Sequence, residues 1–215
     1  MKIKIPRQLV VRKTSSNLLE AISNLQVTHG DEAYMAIHSK YSKIRIQAMT
    51  YREGVKKAFA YFNVDPSMAK QVSFELDKMA VAGNFSFSQT KIIEQKRSAD
   101  GKKCETTKLS IGFQEKDGRG ELRRAPMVVT IENGWSTPEP TAQGGLQAKK
   151  GTYEVQKEGA TMEPRKIVIY MTLRELQMFF RDIAQHIVYF EQAMFPHCLK
   201  QLAKLEAEEE ASRTA

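Results

Sequence analysis

The stretch KIRIQAMTYRE, residues 43–53, combines an alternating strand pattern with the start of a helix. Successive side chains of a strand point to opposite faces, so the isoleucines share one face and the other face carries Lys43, Arg45 and Gln47. A strand patterned in this way can pack with its apolar face and contact a polyanion with its polar face. The pattern predicts a strand over residues 43–48 and makes nucleic acid the first candidate partner.

A second stretch, KIVIYMTLRE at residues 166–175, repeats the same junction of strand and helix. In each copy a threonine precedes a glutamate by three residues, which is the capping box that closes the first turn of a helix. The two pairs are Thr50 with Glu53 and Thr172 with Glu175. The outward side chains of the second copy would be Lys166, Val168 and Tyr170, a poorer set for contacting DNA. We interpret the second copy as a sheet strand that leads into a core or dimer helix.

The chain has 215 residues with 33 Lys and Arg against 25 Asp and Glu, which gives a formal net charge of +8. Residues 38–60 alone carry six basic side chains and one acidic side chain. Such a surplus attracts phosphates, but many ribosomal and membrane-surface proteins share it. The two cysteines lie far apart and favour neither a disulfide framework nor a zinc module, and no run of about 18 apolar residues predicts a membrane span. We expect a cytoplasmic protein without membrane attachment.

Residues 1–83 are expected to form a basic, mainly helical part. Caps, prolines and apolar spacing predict four helices, which begin at Ser15 or Ser16, at Asp31, at Tyr51 and at Pro66. The last two would span residues 51–62 and 66–82. Their order after the strand gives this part its candidate DNA-binding segment.

Residues 84–215 are expected to form an antiparallel sheet followed by a long C-terminal helix, which makes the predicted fold class α+β. β-rich runs separated by Gly, Pro, Asp and Lys clusters lie at residues 84–95, 106–115, 126–133, 152–157 and 165–170. The polar connections 97–103 and 136–150 are expected to be surface loops. This part would serve for dimerisation or as a scaffold.

The C-terminal helix carries apolar residues at steps of three and four from Leu173 to Met194. This heptad-like seam packs either on the sheet of the same chain or on a second chain. Pro196 is expected to kink or end the helix, and the leucines beyond it can continue on a different face.

The order of strand 43–48, helix 51–62 and helix 66–82 resembles the ribbon-helix-helix family of DNA-binding proteins. In that family two chains pair one strand each into an antiparallel ribbon that enters the major groove, which implies a homodimer on double-stranded DNA. The resemblance implies that Ile44 and Ile46 enter the dimer core and that bases are read by Lys43, Arg45 and Gln47. Lysine and arginine can donate to guanine, and glutamine can pair with adenine.

The same resemblance implies a phosphate site at the start of helix 66–82, where free backbone N–H groups surround Ser67 and Met68 and Lys70 adds charge. Further phosphate contacts are expected from Lys40, Arg52, Lys56 and Lys57, and secondary candidates are Lys2, Lys4 and Lys166. The turn at residues 63–67 departs from the glycine-containing turn usual in the family. A plainer interpretation stays open, because such alternating strands are common on any half-exposed antiparallel sheet.

Over its whole length the chain, with a basic helical part, a β-rich middle and an aromatic C-terminal helix, resembles the AcaB-like transcriptional regulators of conjugative plasmids and integrative conjugative elements. The resemblance implies a dimeric activator that binds upstream of a promoter and raises transcription of downstream regulators of plasmid transfer. The β-rich part and the C-terminal helix would build the dimer or contact RNA polymerase. The alternatives are a non-enzymatic protein-interaction factor of a mobile element and a single-stranded nucleic-acid binder that uses the β-rich part. The sequence has no phosphate-binding loop, nucleophile elbow or metal-ligand spacing, so we expect neither an enzyme nor a cofactor.

Overall fold

The computed structural model describes residues 8–25, 42–51, 58–82, 85–155, 157–158 and 163–214. The long strands are β1 (Gln8–Lys13), β2 (Asn17–Asn24), β3 (Lys43–Thr50), β4 (Phe59–Val64), β5 (Ser86–Arg97), β6 (Cys104–Phe113) and β7 (Met127–Ser136). Shorter strands follow as β8 (Pro138–Pro140), β9 (Leu146–Ala148), β10 (Glu154–Val155), β11 (Lys157–Glu158), β12 (Glu163–Pro164) and β13 (Lys166–Met171). The helices within the described residues are α1 (Pro66–Ala82) and α2 (Leu173–Thr214). The predicted fold class is therefore wrong, because a sheet stands where a helical ribbon-helix-helix-like part was expected.

The N-terminal part is a four-stranded antiparallel sheet in the order β1-β2-β3-β4. The strand predicted at residues 43–48 is confirmed as β3, but it lies in the interior of the sheet. The helix predicted from Ser15 or Ser16 is wrong because β2 occupies those residues, and the helix predicted over 51–62 is wrong because β4 begins at Phe59. The helix expected from Asp31 lies outside the described residues.

β2 and β4 look helical in the sequence because both of their faces are covered. Leu19, Glu20 and Ala21 are buried in succession in β2, as are Ala60, Tyr61 and Phe62 in β4. A strand buried on both faces loses the polar alternation that marks a strand, so its apolar residues also fit a helical spacing. Thr50, the threonine of the first capping box, ends β3 and donates its hydroxyl to Asn17 Oδ1 at 3.1 Å.

The second part contains the predicted antiparallel sheet, in the order β10-β7-β6-β5. β13 also pairs with β7, along residues 127–132, while β10 pairs with the same edge of β7 further along, at Trp135 and Gly134. β8 with β9 and β11 with β12 form two separate small hairpins. β7 is thus the strand that connects three neighbours.

The helix predicted at residues 66–82 and the predicted C-terminal helix are both confirmed in position. α1 begins at Pro66, where proline lacks only an N–H that a first turn leaves unused. α2 begins after the predicted capping box, since Glu175 N donates to Thr172 Oγ1 at 3.2 Å and Thr172 N donates to Glu175 Oε2 at 2.8 Å. Pro196 lies inside α2 and does not end it.

One hydrophobic core joins the inner faces of both sheets with the two helices. The seam of α2 packs within the chain, because Leu176, Phe180, Ile183 and Ile187 are buried in this core. α1 adds Ala69, Val72, Leu76 and Met79. Within the described residues, neither helix is long and apolar enough to cross a membrane.

Candidate nucleic-acid interface

The three predicted base-reading residues lie on β3, whose two edges are both occupied by strands of the same chain. β2 pairs with β3 along its whole length, and β4 pairs with residues 44–49. A strand enclosed in this way has no free edge to offer a second chain, so β3 cannot form a two-chain ribbon in a groove. Ile44 and Ile46 are fully buried in the core of the chain itself. The predicted ribbon and its dimer core are therefore wrong.

Gln47 is a structural residue of the first sheet. Its side-chain Nε2 donates to Glu20 Oε2 at 2.6 Å, and the residue is only 9% exposed. Glu20 also accepts a hydrogen bond from Gln8. A buried amide that satisfies a buried carboxylate is committed to the fold, so Gln47 cannot pair with adenine as predicted.

Arg45 and Lys43 are half-buried and engaged within the chain. The guanidinium of Arg45 lies 4.9 Å from the ring centroid of Tyr61, and its Nε donates to Asn63 Oδ1 at 3.3 Å. Lys43 pairs with Asp65 at 2.5 Å, and Lys91 pairs with the other oxygen of the same carboxylate. Burial alone would raise the pKa of Asp65, but the hydrogen bonds from Lys43 and Lys91 outweigh it and hold that pKa below its usual value.

The predicted phosphate site at the start of α1 is only partly present. Ser67 is exposed and Met68 is half-buried in the first turn. Lys70 instead pairs with Glu191 of α2, at 2.8 Å from Oε1. Lys166 pairs with Glu132 at 2.9 Å on the second sheet. Outside the described residues lie Lys2, Lys4, Lys40, Arg52, Lys56 and Lys57.

Tyr61 joins the two sheets through a closed polar network. Its hydroxyl donates to Glu105 Oε1 at 3.0 Å, and Lys96 Nζ lies 3.0 Å from the hydroxyl and 2.9 Å from Glu105 Oε2. The hydrogen bond to Glu105, with a smaller contribution from Tyr61, raises the pKa of Lys96. The backbone of Tyr61 is also held, since its N–H donates to Asn133 Oδ1 and its carbonyl accepts from Asn133 Nδ2, both at 2.9 Å.

An open polar cleft of about 850 Å³ lies beside this network, between the first sheet and the edge of β5. Lys43 and Asn63 line one side, Lys91 and residues 92–95 line the other, and the turn at Gly144 and Gly145 closes one end. Lys43 and Lys91 both pair with the carboxylate of Asp65, which neutralises part of the positive charge in the cleft.

A cluster of basic residues, here called the basic end, lies at the end of the second sheet where β5 finishes and β6 begins. Its members are Arg97, Lys102, Lys103, Lys149 and Lys150. All are exposed except Lys103, which is half-buried and pairs with Glu154 at 2.7 Å.

Strand pairing brings these residues together from two distant loops. Arg97 is opposite Cys104 in the β5–β6 register, and Cys104 is opposite Ser136 in the β6–β7 register. Next along the chain, Thr137 accepts a backbone hydrogen bond from Lys149 at 2.9 Å. Both segments, 97–103 and 136–150, were predicted to be surface loops. The cluster could not be predicted, because more than forty residues separate its two sets of basic side chains and only the sheet register joins them.

The sequence matches no model of a known protein family and has no significant match among curated proteins. Within the part of the chain that the structure describes, no group of three or more His, Cys, Asp and Glu side chains could hold a metal ion. Function is therefore inferred from the geometry of the described residues.

Proposed function

We propose that the chain is a double-stranded DNA-binding transcriptional regulator, without enzymatic activity, that acts as a homodimer and contacts the phosphate backbone through its basic end. The observation that carries this proposal is the convergence of four exposed cations, Arg97, Lys102, Lys149 and Lys150, from two loops onto one end of a rigid sheet. The acidic side chains near them include Asp100, Glu154, which pairs with Lys103, and Glu139, which accepts a hydrogen bond from Gln147.

The dimensions of the basic end suit a DNA backbone. Neighbouring strands lie about 4.8 Å apart, so the basic end, which extends from β5 across β6 and β7 to the next segment, is roughly 15 Å wide. Phosphates on one strand of duplex DNA follow each other about every 3.4 Å along the helix axis, so this width covers about four of them. Flexible lysines can adjust to such a row, and arginine adds a planar donor fork.

The aromatic side chains near the basic end favour duplex over single-stranded DNA. Single-strand binders stack bases on exposed aromatic rings. Tyr61 is only 7% exposed and already has Arg45 and Lys96 against its ring. Trp135 is half-buried within β7, between Glu105 and Glu154 of the neighbouring strands. Neither ring offers a stacking platform, which leaves phosphate contacts as the main interaction.

The biological context of the proposal comes from the resemblance to AcaB-like regulators. The DNA would be a promoter of conjugative transfer genes. The protein would act in the cytoplasm, with RNA polymerase as a further partner. The groove-inserted ribbon of β3 is not part of this proposal, since that strand is enclosed. Phosphate contacts position a protein on DNA, and base contacts give it specificity.

Fluorescence anisotropy against labelled duplex DNA tests the proposal, with titrations between about 50 and 200 mM salt. The test variant combines Arg97→Ala, Lys102→Ala and Lys149→Ala. Loss of three phosphate contacts should reduce the slope of log K against log salt by about 2.7 and weaken low-salt binding on the order of 10²-fold. The control combines Lys116→Ala, Arg119→Ala and Arg124→Ala, which removes the same charge from exposed residues of the loop at the opposite end of the sheet.

Equal losses in both triple variants would mean that binding follows net charge alone, and the basic end would not be the interface. Tighter binding of a single-stranded probe would favour the alternative function, a single-stranded nucleic-acid binder that uses the β-rich part. No binding of the unmodified chain to either probe at low salt would overturn the nucleic-acid proposal and favour a protein-interaction factor.

A further inference from the structure

The distal half of α2 carries exposed apolar side chains. α2 has 42 residues and is therefore about 63 Å long. Near the middle of the helix, Glu191 pairs with Lys70, and Met194 packs against Phe190. The remaining residues, from Phe195 to Thr214, form a helix of twenty residues. Most of the stability of helices in proteins comes from the packing of one face.

The exposed part of this segment has an apolar face. Phe195 is 59% exposed and Leu199 is 49% exposed. At further steps of four residues lie Ala203 and Ala207, which are also exposed. Residues four apart on a helix form one continuous ridge, so these four side chains, here called the distal ridge, share a face. Two large apolar side chains are followed by two small ones.

We propose that a second copy of this chain covers the distal ridge, with the two helices antiparallel and related by a two-fold axis at Ala203. In this register Leu199 faces Ala207 of the partner subunit, so large side chains meet small ones on both sides of the axis. The two Ala203 side chains meet at the axis itself, where small residues let the helices approach closely. The proposal concerns assembly and does not depend on DNA binding.

The charges of the segment select a second copy and its antiparallel orientation. Basic residues Lys200 and Lys204 precede a run of acidic residues, Glu206, Glu208, Glu209 and Glu210. In the antiparallel register Lys200 faces Glu206 of the partner subunit, and the symmetry repeats this pair. A parallel arrangement would set lysine against lysine and the glutamates against each other. Such rim charges decide orientation more than affinity.

Cysteine cross-linking in the full-length chain tests the register. The background carries Cys198→Ser, and Cys104 is buried in the fold. Ala203→Cys should form an oxidised dimer readily, because its two copies meet at the axis. Ala207→Cys is the matched control, since the antiparallel register separates its two copies by eight residues, or about 12 Å along the axis. A disulfide requires Cα atoms less than about 7 Å apart.

A charge exchange tests the same register without cysteines. Lys200→Glu and Glu206→Lys should each weaken the dimer, and the double variant should restore it, with the mass in solution measured by light scattering after size exclusion. Both sites are exposed on the helix, so the fold of the rest of the chain should be unchanged.

Cross-linking of both cysteine variants would show a parallel pair and overturn the proposal. A strict monomer, or a dimer that neither cysteine variant cross-links, would overturn the distal ridge as the interface. These outcomes can be told apart from those of the DNA titration. A monomer that binds DNA contradicts the assembly, and with it the homodimer of the proposed function, but not the DNA contacts of the basic end. A dimer paired through the distal ridge that does not bind DNA contradicts only the proposed DNA binding.

Discussion

Asn133 gives the sharpest test of how the two sheets are held together. The residue is fully buried, and its side-chain amide pairs with both backbone groups of Tyr61 at 2.9 Å. Tyr61 lies on β4, the last strand of the first sheet, so Asn133 takes the place that a further strand would occupy. Asn133→Leu keeps the number and branching of the side-chain heavy atoms but leaves the N–H and the carbonyl of Tyr61 without this partner.

The expected cost follows from these two groups. Each buried polar group left unsatisfied costs about 1–3 kcal/mol, which gives roughly 2–6 kcal/mol for the pair. Burial of the leucine side chain offsets about 1–2 kcal/mol of this. The free energy of unfolding should therefore fall by about 1–4 kcal/mol.

Urea unfolding followed by circular dichroism measures this change through the midpoint, with the slope unchanged. Thr130→Val, a half-exposed site on the same strand, is the control and should shift stability by less than about 0.5 kcal/mol. If Asn133→Leu is as stable as the unmodified chain, the amide is not what joins the sheets, and the seam depends on apolar packing alone.

Three further predictions concern single residues. Gly134→Ala should lose about 1–3 kcal/mol in the same assay, because an added Cβ would lie 2.2 Å from the carbonyl oxygen of Glu154, whereas Gly112→Ala, with open space around it, should be nearly neutral. Thr172→Ala should cost about 1 kcal/mol, because it removes the cap of α2, and Thr172→Ser should retain most of the stability. Burial lowers the pKa of His186, so the folded chain binds this proton more weakly than the unfolded chain. His186 therefore does not affect stability above its ordinary pKa of about 6.5, and it destabilises the folded chain as the pH falls below that value. His186→Gln should reduce the decrease in the free energy of unfolding between about pH 7 and pH 5, measured by urea unfolding.

Local patterns were sufficient to predict elements whose two faces differ. β3 alternates between Ile and basic or polar residues, and β13 repeats that pattern, so both strands are found where the alternation predicts them. α1 and α2 are also predicted, because a proline in the first turn and a capping box mark their starts. In each case the signal lies within a few neighbouring residues.

The errors arise where distant parts of the chain decide the outcome. Thr50 and Glu53 have the spacing of a capping box, but β3 is extended through Thr50 because β2 and β4 pair with it on both sides. The same pairing brings Gln47 against Glu20 of β2 and Arg45 against the ring of Tyr61 of β4. Both side chains are thereby engaged within the chain, although the predicted strand is present. The basic end was not predicted, since it depends on a register between β6 and β7 that no local pattern encodes.

The position of β7 has a consequence for the order in which the chain can fold during synthesis. β6, which pairs with one edge of β7, is synthesised before it. β13, which pairs with the other edge, begins only at Lys166, and α2, which completes the core, follows β13. A nascent chain that stops before Lys166 leaves the apolar face of the second sheet uncovered and has no α2 to complete the core. Domains usually fold as units when the required segments have emerged, and contacts between distant segments slow the process. Folding of this protein is therefore expected to be completed only after most of the chain has left the ribosome, with its apolar strands open to chaperones until then.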